Sequence, residues 1–191
     1  MNKLIALVGM SGSGKSVVTD YLEKQEWTKI YFGGLVYGKM KEAGIEITPE
    51  SQTIFRENLR KEHGMGVVAK LLLPKIQEAF KNGNTILDGL YSWDEFLILS
   101  KAFPNQLKLI CIIADKDLRY SRVAVRKERP FNHEEIIHRD ITEIENLAKG
   151  GPISYADYYI LNNGTKEDVY KRLDEILNEI DKLEGQNEKI N

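Results

Sequence analysis

Leu4-Ile5-Ala6-Leu7-Val8-Gly9-Met10-Ser11-Gly12-Ser13-Gly14-Lys15-Ser16 decides the fold of this 191-residue chain. The first five residues are an apolar run, which reads as a buried parallel strand. The next eight fit the phosphate-binding pattern G-x-x-x-x-G-K-[ST], and Val17-Val18-Thr19-Asp20-Tyr21-Leu22 then reads as a helix. Glycines let the chain turn tightly and bring backbone N–H groups onto a polyphosphate, with the helix N-terminus facing the anion. The pattern therefore predicts a nucleoside triphosphate held by Gly9, Ser11, Gly12, Ser13, Gly14, Lys15, Ser16 and Val17. Lys15 would reach the β- and γ-phosphates, and the Ser16 hydroxyl would ligate Mg²⁺.

Bulk composition narrows the class. The length suits one domain, and 42% hydrophobic with 29% charged residues is ordinary for a globular protein. A net charge of −2 gives no electrostatic case for nucleic acid or an acidic membrane as partner. The single Cys111 excludes an internal disulfide and a cysteine metal cluster, and its apolar surroundings make it a core residue. No apolar run is long enough for a membrane span, and the first strand leaves no room for a signal peptide. A cytoplasmic protein, monomeric or a small homo-oligomer, is the expectation.

Strand-like and helix-like stretches alternate, the pattern of an α/β fold with a parallel sheet. Strands are predicted near Leu4–Val8, Lys29–Phe32, Thr85–Leu87, Leu107–Ile113 and Tyr158–Leu161. Thr48 and Pro49 open one helix, and Pro74 should bend or restart another. The last helix is expected from about Lys166 to Leu183, followed by a frayed tail over 184–191. Residues 33–81 and 127–151 read as helical insertions, the first to bind an acceptor and the second to serve as a lid that excludes water.

Asp88 ends the third strand before Gly89, where a carboxylate beside a phosphate-binding loop is placed to hold Mg²⁺; the alternative is an Asx turn. Five of the eight arginines fall at 119, 122, 126, 129 and 139. The first four are spaced three, four and three apart, which predicts one face of a helix ending near Pro130. Guanidinium groups match phosphate oxygens with paired donors. Arg122, Arg126 and Arg139 are read as phosphate ligands beside Lys15 and Asp88; Arg129 is left open and Arg119 assigned to structure. Arg56 and Arg60 share a helix face ending at Gly64, placed either for an acceptor phosphate or for neighbouring carboxylates. His63 reads as a helix cap, and His133 with His138 makes no metal site.

In this order, the phosphate-binding loop, the strand-ending Asp88-Gly89 and the arginine-rich segment resemble the nucleoside-monophosphate-kinase superfamily. The similarity is nearest to the adenylate-kinase-like and dephospho-CoA-kinase-like proteins familiar from archaea. It is carried by Leu59-Arg60-Lys61-Glu62-His63-Gly64-Met65-Gly66, by Arg139-Asp140 with Glu143, and by Ala156-Asp157-Tyr158-Tyr159-Ile160-Leu161-Asn162-Asn163-Gly164-Thr165. The resemblance implies a three-layer P-loop fold, a five-stranded parallel sheet with helices on both faces, ATP and Mg²⁺ as cofactors, and a small nucleotide-like acceptor. It also implies that Asn163 and Gly164 lie beside the donor base. Two departures concern the acceptor. Gly34 and Tyr37 stand where relatives usually read Gly-Asp-x-x-Arg, and Tyr91 stands where relatives carry a second acceptor-gripping arginine.

Two functions follow as expectations. The first is an ATP-dependent phosphotransferase acting on a nucleoside monophosphate or a dephospho-CoA-type acceptor. The second, supported by the tyrosines at 37 and 91, is a nucleotide-binding regulatory module with little turnover. No Asn-Lys-x-Asp motif supports a GTPase.

Overall fold

In a computed structural model, residues 2–126 and 130–187 are described, with the side chains of 49, 50, 184 and 187 set aside. Five strands form one sheet: β1 (Leu4–Val8), β2 (Thr28–Tyr31), β3 (Thr85–Asp88), β4 (Leu107–Ile113) and β5 (Tyr158–Leu161). Their order is β2-β3-β1-β4-β5, and every pairing is parallel. β1 is central, and all five of its residues are buried, as an apolar run covered on both faces requires.

Side chains alternate across a strand, so β1 feeds two cores. Leu4, Ala6 and Val8 pack with helices α2 (Phe32–Glu42), α4 (Val67–Asn82) and α5 (Trp93–Ala102). Ile5 and Leu7 pack with α1 (Lys15–Glu23) and α9 (Lys166–Asn187). Val169, Leu173, Ile176 and Ile180, the apolar stripe of α9, are all buried there. The remaining helices are α3 (Pro49–His63), α6 (Lys116–Ala124), α7 (His133–Glu145) and the short α8 (Gly150–Ser154).

Local chemistry sets several boundaries. The Thr48 side chain accepts from the Ser51 N–H while Ser51 Oγ accepts from the Thr48 N–H, and Pro49 is the first helical residue of α3. Gly64 ends α3 at φ +87°. Ser92 and Glu95 cap α5 in the same reciprocal way.

Several expectations are corrected. Phe32 begins α2 instead of closing β2, and its buried side chain joins Val36 and Met40 of that helix in the core. α4 continues through Pro74. α9 runs on to Asn187, so residues 184–187 are helical. α6 stops at Ala124, short of Pro130; the apolar side chain of the next residue, Val125, is 83% exposed, so no burial rewards continuing the helix. Arg126 therefore follows the helix instead of extending its face, and Arg129 lies outside the described residues.

Candidate functional site

The parallel register places the chemistry. Leu7 stands opposite Asp88, and Val8 runs directly into the phosphate-binding loop, so Asp88 and that loop emerge side by side at the carboxyl end of the sheet. Gly9 (φ +146°) and Gly14 (φ +94°) both occupy conformations that side chains rarely adopt. A Cβ on Gly9 would meet the Ile112 carbonyl at 2.3 Å, and one on Gly14 would meet Asn162 Nδ2 at 2.0 Å. The loop is thus a cradle that only glycine can form at these points. Gly14 precedes α1 with no side-chain cap, which leaves the first N–H groups of that helix to a ligand. Ser13 Oγ is buried without a hydrogen-bond partner, close to the Gly9 backbone.

The Lys15 ammonium donates to the carbonyls of Gly9 (2.7 Å) and Met10 (3.2 Å), folding back over its own loop. Burial, and then the neighbouring charge of Lys149, pulls its pKa down to about 7; Glu143 and Asp88 oppose the shift. Burial raises the Asp88 carboxyl, with Lys15 and Lys29 working against it. Ser16 is exposed beside Lys15 on the same cavity wall.

That cavity measures about 490 Å³. Of the residues expected to bind the donor, Ser11, Gly12, Gly14, Lys15, Ser16, Val17 and Gly164 line it. Gly9 contributes the carbonyl that holds Lys15, and Ser13 lies buried behind the wall. Asp88, Arg122, Arg126 and Arg139 line it too. Asn163 instead accepts from the Asp115 N–H at 3.0 Å, and its neighbour Asn162 takes the place on the cavity wall. Asn162 donates to the Ser13 carbonyl at 2.8 Å and accepts from Arg122 at 2.9 Å through its own carbonyl.

The arginines are divided by role. Arg119 is buried, with Nη1 donating to the Ser11 carbonyl at 2.8 Å and Nη2 to Asp140 at 2.6 Å, as its structural assignment predicted. Arg126 sits 5.0 Å from the Phe131 ring centroid. Arg139 donates to Glu143 Oε1 at 3.0 Å.

A second cavity, about 670 Å³, adjoins the first. Arg56, Arg60, Lys61, Met65, Phe131 and Leu147 are on its wall, and Tyr91, Arg139 and Glu143 line both cavities. Arg60 is 3.7 Å from Glu95, and both Arg60 Nε and Glu95 Oε1 are buried without hydrogen bonds. Burial lowers the Arg56 pKa, with Arg139 and Arg60 adding to the shift and Tyr91 opposing it. Neither Gly34 nor Tyr37 is among the described residues lining either cavity. Because α2 starts at Phe32, Gly34 lies against Tyr31, and the Tyr37 ring sits 6.2 Å from that of Tyr31. Tyr31 itself lines the smaller cavity.

Lys149 was not signalled by any motif. It is 1% exposed, lines the smaller cavity, and donates to Glu143 Oε2 at 2.6 Å. Burial pushes the Glu143 carboxyl up, but Lys149 and Arg139 together outweigh it and hold it below the ordinary glutamate value.

The AAA domain family matches residues 5–147. The UPF0200 protein of Thermococcus onnurineus is 31% identical over 93% of this chain and 97% of its own length. That of Pyrococcus abyssi is 31% identical, over 93% and 96%. Among solved structures, shikimate kinase from Bacteroides thetaiotaomicron superposes with a TM-score of 0.60 at 15% identity, over 92% of this chain and 98% of that one. A gluconokinase from Sinorhizobium meliloti does so at 0.58 and 13%, over 96% and 97%. Similarity at that level shows shared fold. The loop, the parallel sheet and the end-to-end relatives together mean that the chain belongs to the UPF0200 family and carries an AAA domain of P-loop kinase-like fold.

Proposed function

We propose that the protein is an ATP-dependent phosphotransferase that moves the γ-phosphoryl group to a small nucleotide or nucleotide-like acceptor, of the nucleoside-monophosphate or dephospho-CoA type. The observation that carries this reading is the junction of the two cavities. A pocket built on the phosphate-binding loop opens onto an arginine-lined pocket, and Tyr91, Arg139 and Glu143 belong to both. A pure nucleotide-binding site has no need of the second pocket.

The residues present fit a Mg²⁺-nucleotide. The glycine cradle suits an anion, and Ser16 with Asp88 supplies the oxygen ligands that Mg²⁺ favours alongside phosphate and water. When bound, the metal neutralises developing charge on the phosphates. The chain's own part is positioning. Lys15 turns from its loop carbonyls to the phosphates, and Arg122, Arg126 and Arg139 face the polyphosphate. Arg56 and Arg60 hold the anionic part of the acceptor, beside the apolar surface of Met65, Phe131 and Leu147. A phosphate acceptor needs no base. For a hydroxyl acceptor, Asp88 is the carboxylate on the cavity wall placed to take the proton.

A regulatory module with little turnover is the second reading, favoured by the uncharged Tyr91 at the junction of the cavities. ADP production from Mg-ATP against AMP, CMP, UMP, dTMP and dephospho-CoA, with Lys15→Ala as control, tests both. Strong stimulation by one acceptor supports the kinase, whereas tight ATP binding without stimulation by any of them favours the module.

A further inference from the structure

Lys149 is an expensive residue to place. It follows Ala148, which holds a φ of +49° that non-glycine residues rarely adopt. The Lys149 N–H donates to the Glu143 carbonyl at 3.1 Å, so the chain doubles back after α7 and delivers this side chain into the interior. There the ammonium is clasped by Glu143 Oε2 at 2.6 Å and sits 4.9 Å from the centroid of the Tyr91 ring. A buried ion pair of this kind adds little to stability against an apolar replacement. Its position is more informative, because Lys149 lines the donor cavity while both of its partners, Glu143 and Tyr91, line both cavities. Among the described residues of the donor cavity, Lys15, Arg122, Arg126, Arg139, Lys149 and Lys166 face only Asp88 and Glu143. The excess of positive charge is suited to a polyphosphate.

We infer that Lys149 is a catalytic cation that binds the γ-phosphoryl group where the two cavities join, and that Glu143 is a positioning residue that aims both Lys149 and Arg139. This inference rests on the phosphotransfer reading above. Glu143 spends one oxygen on each cation, Oε1 on Arg139 at 3.0 Å and Oε2 on Lys149 at 2.6 Å, so it fixes their separation and is unsuited to act as a base. In the transfer, the bond from the γ-phosphorus to the βγ-bridging oxygen breaks, and its electron pair leaves with ADP. The acceptor oxygen bonds to the phosphorus, and Lys149 keeps its proton throughout. The lowered pKa of Lys15, to which the charge of Lys149 contributes, agrees with two ammonium groups brought together for one anion.

The test compares Mg-ADP with the non-hydrolysable βγ-imido analogue of Mg-ATP by titration calorimetry. Lys149→Met should weaken the analogue by about tenfold to thirtyfold and ADP by less than about threefold, the loss of one charge-assisted contact at the γ position. Lys149→Arg should recover most of that loss. Because Lys149→Met leaves Glu143 short of a partner, the pair Lys149→Met with Glu143→Gln is measured beside it, with thermal unfolding as the check on folding. Equal weakening of both nucleotides, or none in a folded variant, overturns the inference and leaves the phosphotransfer reading standing. A wild-type protein that binds neither nucleotide overturns both.

Discussion

Arg119 and Asp140 form a buried, two-point ion pair, Nη2 to Oδ2 at 2.6 Å and Nη1 to Oδ1 at 3.3 Å. The same guanidinium also donates to the Ser11 carbonyl, so one side chain ties α6 and α7 to the phosphate-binding loop. Tyr120, Val123 and Ile136 form a small apolar cluster beside it. Asp140→Ala leaves the guanidinium buried without its counter-charge, which costs on the order of 3 kcal/mol. For a chain of this size that lowers Tm by roughly 6–12 °C. Thermal unfolding of the variant measures it, and a shift of under about 2 °C would contradict a buried pair.

Gly14→Ala should remove nucleotide binding. Its φ of +94° is strained for any side chain, and Asn162 Nδ2, 2.0 Å from the new Cβ, must swing away and give up its bond to the Ser13 carbonyl. ATP affinity should fall at least about a hundredfold, read by calorimetry. Wild-type affinity in this variant would show that the cradle is adaptable.

ATP binding should weaken as pH rises above neutrality. With its pKa near 7, Lys15 is charged below that pH and loses its proton above it in the free protein. Polyphosphate favours the ammonium, so binding on the alkaline side must take up a proton, and affinity declines by up to about tenfold per pH unit. The same displacement acts on stability. The unfolded lysine, at its ordinary value of 10.5, holds its proton while the folded one has lost it, so the free protein gains stability from about pH 7 upward. Calorimetry at roughly pH 8.5 in two buffers of different ionisation enthalpy reads the proton directly. Buffer-independent heats would place the Lys15 pKa well above 7.

Arg56→Met should act on the acceptor alone. The guanidinium lines only the larger cavity, and its Nε donates no farther than the Gln52 carbonyl at 3.1 Å. The KM for an anionic acceptor should rise about tenfold to a hundredfold, with the KM for ATP within about threefold. A parallel rise in both would move Arg56 into the donor site. Arg60 is the poorer probe, because its loss also strands the buried carboxylate of Glu95.

The fold was almost fully legible because it is written in short-range signals: an apolar run for β1, a proline after a threonine for α3, a regular stripe for α9. The glycine-rich loop was legible because its glycines are required by backbone geometry. What escaped depends on where helices begin and end. α2 starts one residue earlier than a strand ending at Phe32 allows, which puts Tyr31 on the wall of the smaller cavity and leaves Tyr37 off it. Asn162, one residue before the expected Asn163, is on the cavity wall, and Asn163 accepts from the Asp115 N–H. Lys149 carries no periodicity; the only signals were a lone lysine before Gly150-Gly151 and a glutamate six residues earlier.

The bond from Asn162 to the Ser13 carbonyl joins positions 149 residues apart in the chain. The glycine-rich loop is made early during synthesis, yet its shape is braced by a residue made late, at the end of β5. A ribosome-bound chain that has exposed only its first four strands holds the complete phosphate-binding motif without the support that fixes it. On the proposed reading, competence to bind nucleotide is acquired only once β5 docks against β4, and it reports completion of the sheet.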